Sequence, residues 1–287
     1  MSATDLVIAK GGVHWGGDYT SVRVETDQPV TLRGTTIAGP GLLVTGKSAT
    51  RLALVNCSLV GDGGGYAIDL HEPARLQVHC SRLTGTGGIR LHKAPPSARV
   101  TVMYNNAEKI ARKDNLAQFI QLDKCEGLAE MRIIGNTVVN RPGESAVEDV
   151  ISIYESSGRP DAPILIKNNT IIGAHPAMSG ANYTGGGIMA GDGVQSRTRY
   201  VLVEYNAVMG SINHGIAIAS GRDIVVRHNV VKDCGIGLYV WNLYKAKDFG
   251  GHRVDDNWVR CVKDGKRNDA WFPDLNRVGP DTNHYLP

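Results

Sequence analysis

The chain has 287 residues, of which 42% are hydrophobic and 6% aromatic, and it contains 35 glycines. This ordinary apolar content excludes a disordered chain, and the many glycines fit a fold with frequent tight turns. A net charge of +3, from 31 basic and 28 acidic residues, is too balanced to indicate nucleic acid or a membrane surface as a partner. No stretch reaches the ~18 apolar residues of a membrane-spanning helix.

A polar or small residue recurs along the chain in a fixed apolar frame. Apolar or near-apolar side chains stand five and three positions before it and two positions after it, as at Ile164, Ile166 and Ile171 around Asn169. The recurring positions, at steps of 22, 24, 24, 31, 33, 37, 23 and 28 residues, are Thr35, Cys57, Ser81, Asn105, Asn136, Asn169, Asn206, Asn229 and Asn257. Because one such unit cannot bury its apolar face alone, the repeat predicts a parallel β-solenoid of stacked units.

The last six recurring residues are asparagines, and they fall in one column of the predicted solenoid. Stacked inward amides can hydrogen-bond to one another along such a column, so we expect an asparagine ladder. The alternative is that these asparagines lie in ordinary turns, where the residue is common. That alternative does not explain the fixed apolar frame.

A second apolar pair precedes each recurring position, and the residues between and after the pair are polar in the middle of the chain. In a strand, the apolar pair points inward and these intervening residues point outward. The outward residues, which we call the polar grid, are Asp69 and His71, Arg90 and His92, Gln121 and Asp123, and Ser152 and Tyr154. The same reasoning places Met189, Ala217, Ala219, Gly237 and Tyr239 beyond the grid. The alternative interpretation of the grid is a plain solvated strand face.

The spacing of the repeat grows in the centre of the chain. The extra residues flank the face strands in the segments 93–99, 106–118, 137–149, 155–162, 170–186 and 191–199. Longer loops cost a fold little stability, so their presence alone does not indicate a function. Their clustering around the polar grid does. Long loops on both sides of one strip of a solenoid predict the walls of a groove.

Carboxylates stand at both ends of the central face strands. Glu148 and Asp149 precede one strand, and Asp123, Glu155 and Asp192 follow strand ends. Paired carboxylates can hydrolyse a glycosidic bond or bind Ca²⁺. Because no calcium-binding loop of the D-x-[DN]-x-D-G type is present, no metal ligands are predicted, and Ca²⁺ is left as an option.

The grid also holds candidates for proton transfer. His71 and His92 stack in neighbouring rungs and can act as general base and proton carrier, although a surface histidine can simply be solvated. Tyr154 is expected beside Arg90 and His92, where cations would lower the pKa of its phenol. With Arg90, Gln121 or Lys124 neutralising a substrate carboxylate, these residues suit removal of the proton next to a uronate carboxylate.

Residues 1–262 are predicted to form one β-helix domain, with 1–20 as an N-terminal cap and 263–287 as a C-terminal capping extension. The end of the chain is rich in aromatic residues: Trp258, Trp271, Phe272 and Tyr285. A solenoid end must cover its apolar core, so capping is the expected role. A stacking platform for sugar is the alternative. The five scattered cysteines, with no C-x-x-C pair, indicate buried apolar side chains or single thiols.

The asparagine ladder, the repeated Asn-x-apolar turns and the face strands resemble the pectate-lyase-like right-handed parallel β-helix superfamily over about residues 20 to 262. Its members include polysaccharide lyases, polygalacturonase-type hydrolases, C5-epimerases and phage tailspikes. The resemblance implies an all-β, single-stranded right-handed parallel β-helix, here of about nine rungs. It also implies a carbohydrate ligand, usually a polyanionic polysaccharide, on the outer face of the central rungs. It does not select one reaction.

Family signatures match only in part. The segment His214–Gly221 is similar to the His-Gly strand of the polygalacturonase hydrolases, but their Asn-Thr-Asp and Asp-Asp partner motifs are missing. His214 is therefore not carried over as catalytic. The epimerase Asp-Pro-His-Asp and the lyase Trp-Ile-Asp-His segments are also missing. The run Glu148–Gly158, with Gly185–Ile188, resembles uncharacterised bacterial β-helix proteins and implies a site location alone.

We therefore expect a lyase that cleaves a uronate-containing glycan by β-elimination. His92 and Tyr154 are the base and acid candidates, Arg90 and Gln121 would contact the carboxylate, and Asp123 would orient a histidine or bind the sugar. The residues expected to bind substrate are Asp69, His71, Gln121, Lys124, Glu148, Asp149, Glu155 and Asp192.

Two other interpretations remain open. One is a glycoside hydrolase that uses pairs among Glu148, Asp149, Asp123 and Glu155. The other is a non-catalytic glycan-binding or adhesion β-helix. The expected partner is an anionic polysaccharide, with neither nucleic acid nor a membrane. We expect a secreted or periplasmic protein, although Met1–Lys10 lacks the apolar run of a signal peptide.

Overall fold

The computed structural model describes residues 4–114, 116–176, 184–276 and 281–286. Within these ranges every regular element is a β-strand, and no helix is long and apolar enough to cross a membrane. Parts of several predicted segments lie outside the described residues. They are residues 1–3 of the N-terminal cap, residue 115 and residues 177–183 of two groove loops, and residues 277–280 and 287 of the C-terminal extension.

The rungs stack so that equivalent strands pair in parallel, which confirms the predicted parallel β-helix. The first row of strands is a ten-stranded parallel sheet. Its strands are Gly12–Trp15, Val30–Arg33, Arg51–Val55, Arg75–His79, Arg99–Met103, Glu130–Ile134, Ile164–Lys167, Arg199–Glu204, Arg222–Arg227 and Arg253–Asp255. Alternate side chains along each strand are buried, as at Ile164 and Ile166, which are 0% exposed.

Two further rows share one sheet of 21 strands. The second row comprises Thr36–Ala38, Ser58–Val60, Arg82–Thr84, Asn106–Glu108, Thr137–Val139, Thr170–Ala174, Ala207–Ser211, Val230–Lys232, Trp258–Arg260 and His284–Tyr285. The face row comprises Val44–Gly46, Ile68–His71, Ile89–His92, Ile120–Asp123, Asp149–Tyr154, Gly186–Asp192, His214–Ile218, Ile236–Val240 and Ala270–Trp271. Asp18–Val24 pairs with both rows and with Thr4–Ile8, and Val262–Lys263 forms a small antiparallel hairpin with Lys266–Arg267.

The turn from the first row to the second row has the same backbone geometry in nine successive rungs. One residue with φ between 52° and 66° stands directly before each recurring position. These residues are Gly34, Asn56, Cys80, Tyr104, Gly135, Asn168, Tyr205, His228 and Asp256. The left-handed conformation is costly for residues other than glycine, so the turn depends on the hydrogen bonds beside it.

The asparagine ladder supplies those hydrogen bonds, as predicted. The side-chain oxygen of Asn136 accepts hydrogen bonds from the backbone N–H and the side-chain amide of Asn105, at 3.0 and 2.9 Å. The Asn136 amide nitrogen donates to Oδ1 of Asn169 and to the Val102 carbonyl, both at 2.9 Å. Each interior ladder asparagine repeats this pattern, so the chain satisfies its buried turn groups rung by rung.

The ladder extends one rung further than the sequence indicated. Oδ1 of Asn283 accepts hydrogen bonds from the Asn257 backbone N–H and side-chain amide, at 3.0 and 2.9 Å. Within the region assigned to the C-terminal cap, Ala270–Trp271 also pairs with the face row and His284–Tyr285 with the second row. The final rung was missed because its strands are only two residues long.

Candidate active site

The register of the polar grid is the one predicted. Asp69, Arg90, Gln121 and Ser152 lie opposite one another in successive face strands. The parallel column is formed by His71, His92, Asp123 and Tyr154 in the same order. Asp69, His71, Arg90, His92 and Asp123 together line a shallow groove of about 330 Å³.

The predicted register fails at one strand beyond the grid. Tyr239 lies opposite Ala217, where Gly237 was expected. Leu238 pairs with Ile216, and a Cβ added to Gly237 would lie 2.5 Å from Cγ1 of Val259 in the core. The predicted register was wrong by two residues. It paired Ile236 with Ile216, whereas Ile236 pairs with His214, which is not part of the apolar pattern.

Arg90 is held by its neighbours. Its Nε and Nη2 donate to the two carboxylate oxygens of Asp69 at 2.9 and 2.6 Å. Its guanidinium also lies over the Tyr66 ring, 4.6 Å from the centroid. A substrate carboxylate would therefore have to replace Asp69 before Arg90 could take its predicted role. Gln121 lies in the next rung, half-buried, and Lys124 is exposed in the turn after the same strand.

A histidine and a carboxylate form a pair in the groove. Nδ1 of His92 and Oδ2 of Asp123 are 2.7 Å apart, so Asp123 does orient a histidine. The His71 ring lies 5.0 Å from the His92 ring and is tilted by 37°. Nδ1 of His71 is 3.7 Å from the Glu72 carboxylate. The His92 ring is therefore held by a carboxylate at hydrogen-bond distance, whereas the His71 ring is not.

Tyr154 has a different environment from the one expected. Asp123 separates it from His92 in the column, and a one-residue β-bulge places Asp192 opposite it on the other side. Burial, followed by the charges of Glu155, Asp192 and Asp123, raises the pKa of Tyr154. The predicted lowering of this pKa is therefore wrong, because the nearest charges are carboxylates and not cations.

Glu155, predicted to bind substrate, instead anchors a loop. Its side chain is buried, and its carboxylate accepts hydrogen bonds from the backbone N–H groups of Gln195 and Arg197, at 2.6 and 3.3 Å. It therefore holds the loop 191–199 against the rung below. This loop carries Asp192 into the site described next.

Farther along the face row lies a larger pocket of about 490 Å³, which we call the acidic pocket. Three carboxylates line it: Glu148, Asp149 and Asp192. The sequence placed these residues at strand ends without indicating that they meet. The pocket also contains His214, Tyr239, Trp241 and Tyr244.

Glu148 holds its proton unusually tightly. Burial raises the pKa of Glu148 to about 7, and the charges of Asp149 and Asp192 add to the effect. The amide of Gln118 donates a hydrogen bond to its Oε2. At neutral pH a large fraction of Glu148 is therefore a protonated carboxylic acid.

Asp192 is positioned by two donors. The Tyr244 hydroxyl and the Gly193 backbone N–H donate to its Oδ1 at 2.9 and 2.8 Å. Burial raises the pKa of Asp192 despite these hydrogen bonds. Burial and the charge of Asp192 also raise the pKa of Tyr244, so its hydroxyl stays protonated as a donor.

Asp149 and His214 meet across an intervening rung. Nε2 of His214 and Oδ1 of Asp149 are 3.2 Å apart, although Gly186 stands between them in the register. A Cβ on Gly186 would lie 2.1 Å from that oxygen and 2.5 Å from that nitrogen, so only glycine fits. Both side chains are at least nine-tenths buried, and neither of the two atoms has a hydrogen-bond partner within the described residues. Their approach is close, but its angle is not that of a hydrogen bond.

An aromatic wall closes one side of the acidic pocket. Tyr239 stacks on Trp271 with ring centroids 5.2 Å apart and an interplanar angle of 10°. Trp241 packs against both rings at 6.0 and 5.7 Å. The sequence had assigned Trp271 to a cap, with a sugar platform as the alternative, and had placed Tyr239 on the face strand beyond the grid.

The loops 106–118 and 137–149, two of those predicted to wall a groove, stack on each other. The Ala146 N–H donates to the Ile110 carbonyl at 2.9 Å, and the Glu148 N–H donates to the Ala117 carbonyl at 3.0 Å. Ile110 and Ala117 are buried beneath them. These contacts fix the backbone that carries Glu148.

Metal binding has little support in the geometry. Over the part of the chain that the structure describes, no group of three or more His, Cys, Asp or Glu side chains could hold a metal ion. The optional Ca²⁺ therefore gains no ligand set from these residues.

Comparisons with known proteins add no name to this site. No family model, no curated protein and no solved structure matches the chain. The chemistry must be argued from the residues themselves.

Two residues of the acidic pocket, His214 and Tyr244, were not among the site residues predicted from the sequence. His214 was discounted because its family partner motifs are missing, and Tyr244 lies outside the repeat. The available signal was the pair Gly186–Gly187 at the start of a face strand, since a strand beginning Gly-Gly leaves space for side chains from neighbouring rungs.

Proposed function

We propose that this protein is a glycoside hydrolase whose reaction takes place in the acidic pocket. The observation that carries the proposal is the convergence of Glu148, Asp149 and Asp192 beside the aromatic wall. Glycoside hydrolysis needs two carboxyl groups in different protonation states. This is the hydrolase alternative from the sequence, with Asp192 in place of Asp123 and Glu155.

Glu148 is assigned as the general acid. With a pKa of about 7, it retains a proton at neutral pH and can give it to the glycosidic oxygen as the bond breaks. The bond between the anomeric carbon and that oxygen is lost, and the leaving sugar departs as an alcohol. Gln118, bonded to Oε2, would orient the carboxyl group.

Asp192 is assigned as the base or nucleophile. Two hydrogen bonds to Oδ1 favour its charged form and fix the orientation of the carboxylate. It would either deprotonate a water that attacks the anomeric carbon or attack that carbon itself. In the second case Glu148, now ionised, would take a proton from a water that breaks the bond between Asp192 and the sugar, which releases Asp192 and restores the acid. Tyr239 and Trp241 would offer apolar faces to the sugar ring.

The experiment is an incubation of the purified protein with anionic, neutral and amino polysaccharides. Reducing ends and the ultraviolet absorbance of unsaturated sugars are recorded together. We expect reducing ends without a rise in absorbance, and we expect Glu148→Gln to lower the rate by roughly 10²- to 10⁴-fold. Full turnover by Glu148→Gln would overturn the assignment.

A lyase remains a second candidate because His92 and Asp123 form an oriented pair at 2.7 Å in the neighbouring groove. β-Elimination there would use His92 as the base and would require an anionic glycan to displace Asp69 from Arg90. A rise in ultraviolet absorbance that His92→Ala abolishes would favour this candidate. Binding without any turnover would favour the non-catalytic module.

A further inference from the structure

We propose that the acidic pocket takes a glycan carrying a primary ammonium group, that is, a 2-amino-2-deoxy sugar with its amine free. This inference rests on the proposed function and names its substrate class. It differs from the anionic polysaccharide expected from the sequence.

The charge of the pocket is the first argument. Glu148, Asp149 and Asp192 line it, and none of the described residues lining it is a lysine or an arginine. His214 is the one basic side chain among those residues, and it faces Asp149. A uronate carboxylate placed here would meet like charges in a partly buried site, which is strongly unfavourable. An ammonium group would meet opposite charges.

An unpaired buried oxygen is the second, independent argument. Asp149 is 4% exposed, and its Oδ1 has no hydrogen-bond partner within the described residues. This oxygen faces Nε2 of His214 at 3.2 Å and has no contact with solvent, so the two side chains lie beside each other without a hydrogen bond. A buried carboxylate with incomplete hydrogen bonding costs free energy, and the positive charge of a ligand in the pocket would offset part of that cost. An ammonium group supplies three N–H donors and a positive charge, which suits a pocket lined by several carboxylates.

The aromatic wall is consistent with the same ligand. Tyr239 and Trp241 line the pocket together with the carboxylates, and their rings pack against each other with centroids 6.0 Å apart. Aromatic ring faces stack on sugar rings and attract cations. A divalent cation is the competing ligand, but the described residues provide no group of three metal-binding side chains.

The test is calorimetric binding of matched tetrasaccharides to Glu148→Gln, in which cleavage is expected to be too slow to disturb the binding measurement. The probes are a glucosamine tetramer, its fully N-acetylated form, a glucose tetramer and a galacturonate tetramer. We expect the free-amine form to bind roughly tenfold or more tightly than the other three at pH 6, because hydrogen bonds to charged groups are the strongest. Asp149→Asn should remove most of that preference.

A second measurement uses the unmutated protein, so that the inference can be tested even if a variant fails to fold. Binding of the glucosamine tetramer to the unmutated protein at low temperature should weaken as NaCl increases, whereas binding of the glucose tetramer should not. Calcium chloride alone is titrated as a further probe.

The outcomes separate the two claims. If the acetylated, neutral or uronate tetramer binds as tightly as the free amine or more tightly, the amino-sugar inference is wrong. If the unmutated protein also cleaves that tetramer by hydrolysis, the proposed hydrolase activity is still supported. Preferred binding of the free amine without cleavage by the unmutated protein supports the inference and overturns the hydrolase. Tight binding of Ca²⁺ that excludes the glucosamine tetramer overturns the inference.

Discussion

Each interior ladder asparagine satisfies groups in the rungs on both sides of it. Oδ1 of Asn206 accepts from the Asn169 backbone and side chain, both at 2.9 Å, and its amide donates to Oδ1 of Asn229 and to the Ile166 carbonyl. An apolar side chain of similar size would leave these groups buried and unpaired. The ladder residue is therefore required by hydrogen bonding, not by shape.

We expect Asn206→Ala to lower the free energy of unfolding by about 3 kcal/mol, because several buried donors and acceptors lose their partners. Urea unfolding followed by circular dichroism measures this change. Asn106→Ala is the matched control, since that asparagine is exposed in a second-row strand and should cost less than about 0.5 kcal/mol. Equal costs for the two variants would contradict the ladder's role.

The raised pKa of Glu148 predicts a pH dependence of stability. The unfolded carboxyl titrates near 4.5, whereas the folded one holds its proton up to about 7. Between these values the folded state binds the extra proton, so stability falls as pH rises through this window. Relative to Glu148→Gln, the unmutated protein should lose on the order of 3 kcal/mol between pH 4.5 and pH 8.

Thermal unfolding of both proteins across that pH range measures the difference. A constant difference between them would show that Glu148 titrates normally in the folded protein. Asp149→Asn should reduce the pH-dependent loss, because the Asp149 charge contributes to the raised pKa of Glu148.

At the scale of single residues, position was predictable from the sequence and environment was not. Alternation with a period of two placed Asp69, Arg90 and Gln121 correctly on one column. It could not reveal that Arg90 is occupied by Asp69, nor that the neighbours of Tyr154 are carboxylates. Those facts depend on rotamers and on loops that cross from other rungs.

At the scale of strands, Gly186 determines whether side chains from the two neighbouring face strands can contact each other. The absence of a side chain lets His214 reach Asp149 from two rungs away. The adjacent bulge in Gly186–Asp192 then sets Asp192 opposite Tyr154. The strand is therefore built to bring side chains of three rungs into one pocket.

We expect Gly186→Ala to cost about 1–3 kcal/mol and to lower glycan cleavage, because the new methyl group overlaps Asp149 and His214. In a His214→Ala background the same substitution should cost less, since part of the overlap is removed. Melting temperatures of the four proteins in this cycle measure the coupling. Additive effects would contradict the steric account.

The element boundaries show why the sequence missed the pocket. The recurring frame located the strands from Val30 to Val259 because their inward residues are apolar and regularly spaced. The frame placed Tyr239 two residues out of register, and Trp241 lies beyond the frame. Both side chains pack against Trp271. Periodicity carries no information about such contacts.

At the scale of the whole molecule, each rung contacts mainly the rungs next to it. Stability is then close to a sum of local terms, and a defect spreads only to its neighbours. Asn283 is the last residue of the ladder, so a substitution there tests whether a defect affects only the neighbouring rungs.

Asn283→Ala should increase amide hydrogen exchange in Arg253–Asp255 and Trp258–Arg260 while leaving Arg75–His79 unchanged. Asn136→Ala should produce the opposite distribution, with faster exchange in Arg99–Met103 and Glu130–Ile134. Mass spectrometry of peptic fragments measures both. Uniformly faster exchange across the molecule in either variant would contradict local stacking.

The measurement that tests the account most directly compares two variants on one glycan. Turnover of the substrate found in the polysaccharide panel is recorded for Glu148→Gln and for His92→Ala, with reducing ends and ultraviolet absorbance followed together. The account predicts a loss of roughly 10²-fold or more for Glu148→Gln, near-normal turnover for His92→Ala and no unsaturated product. Loss of activity in His92→Ala alone, with an unsaturated product from the unmutated protein, would contradict it and place the chemistry in the groove of Arg90 and His92.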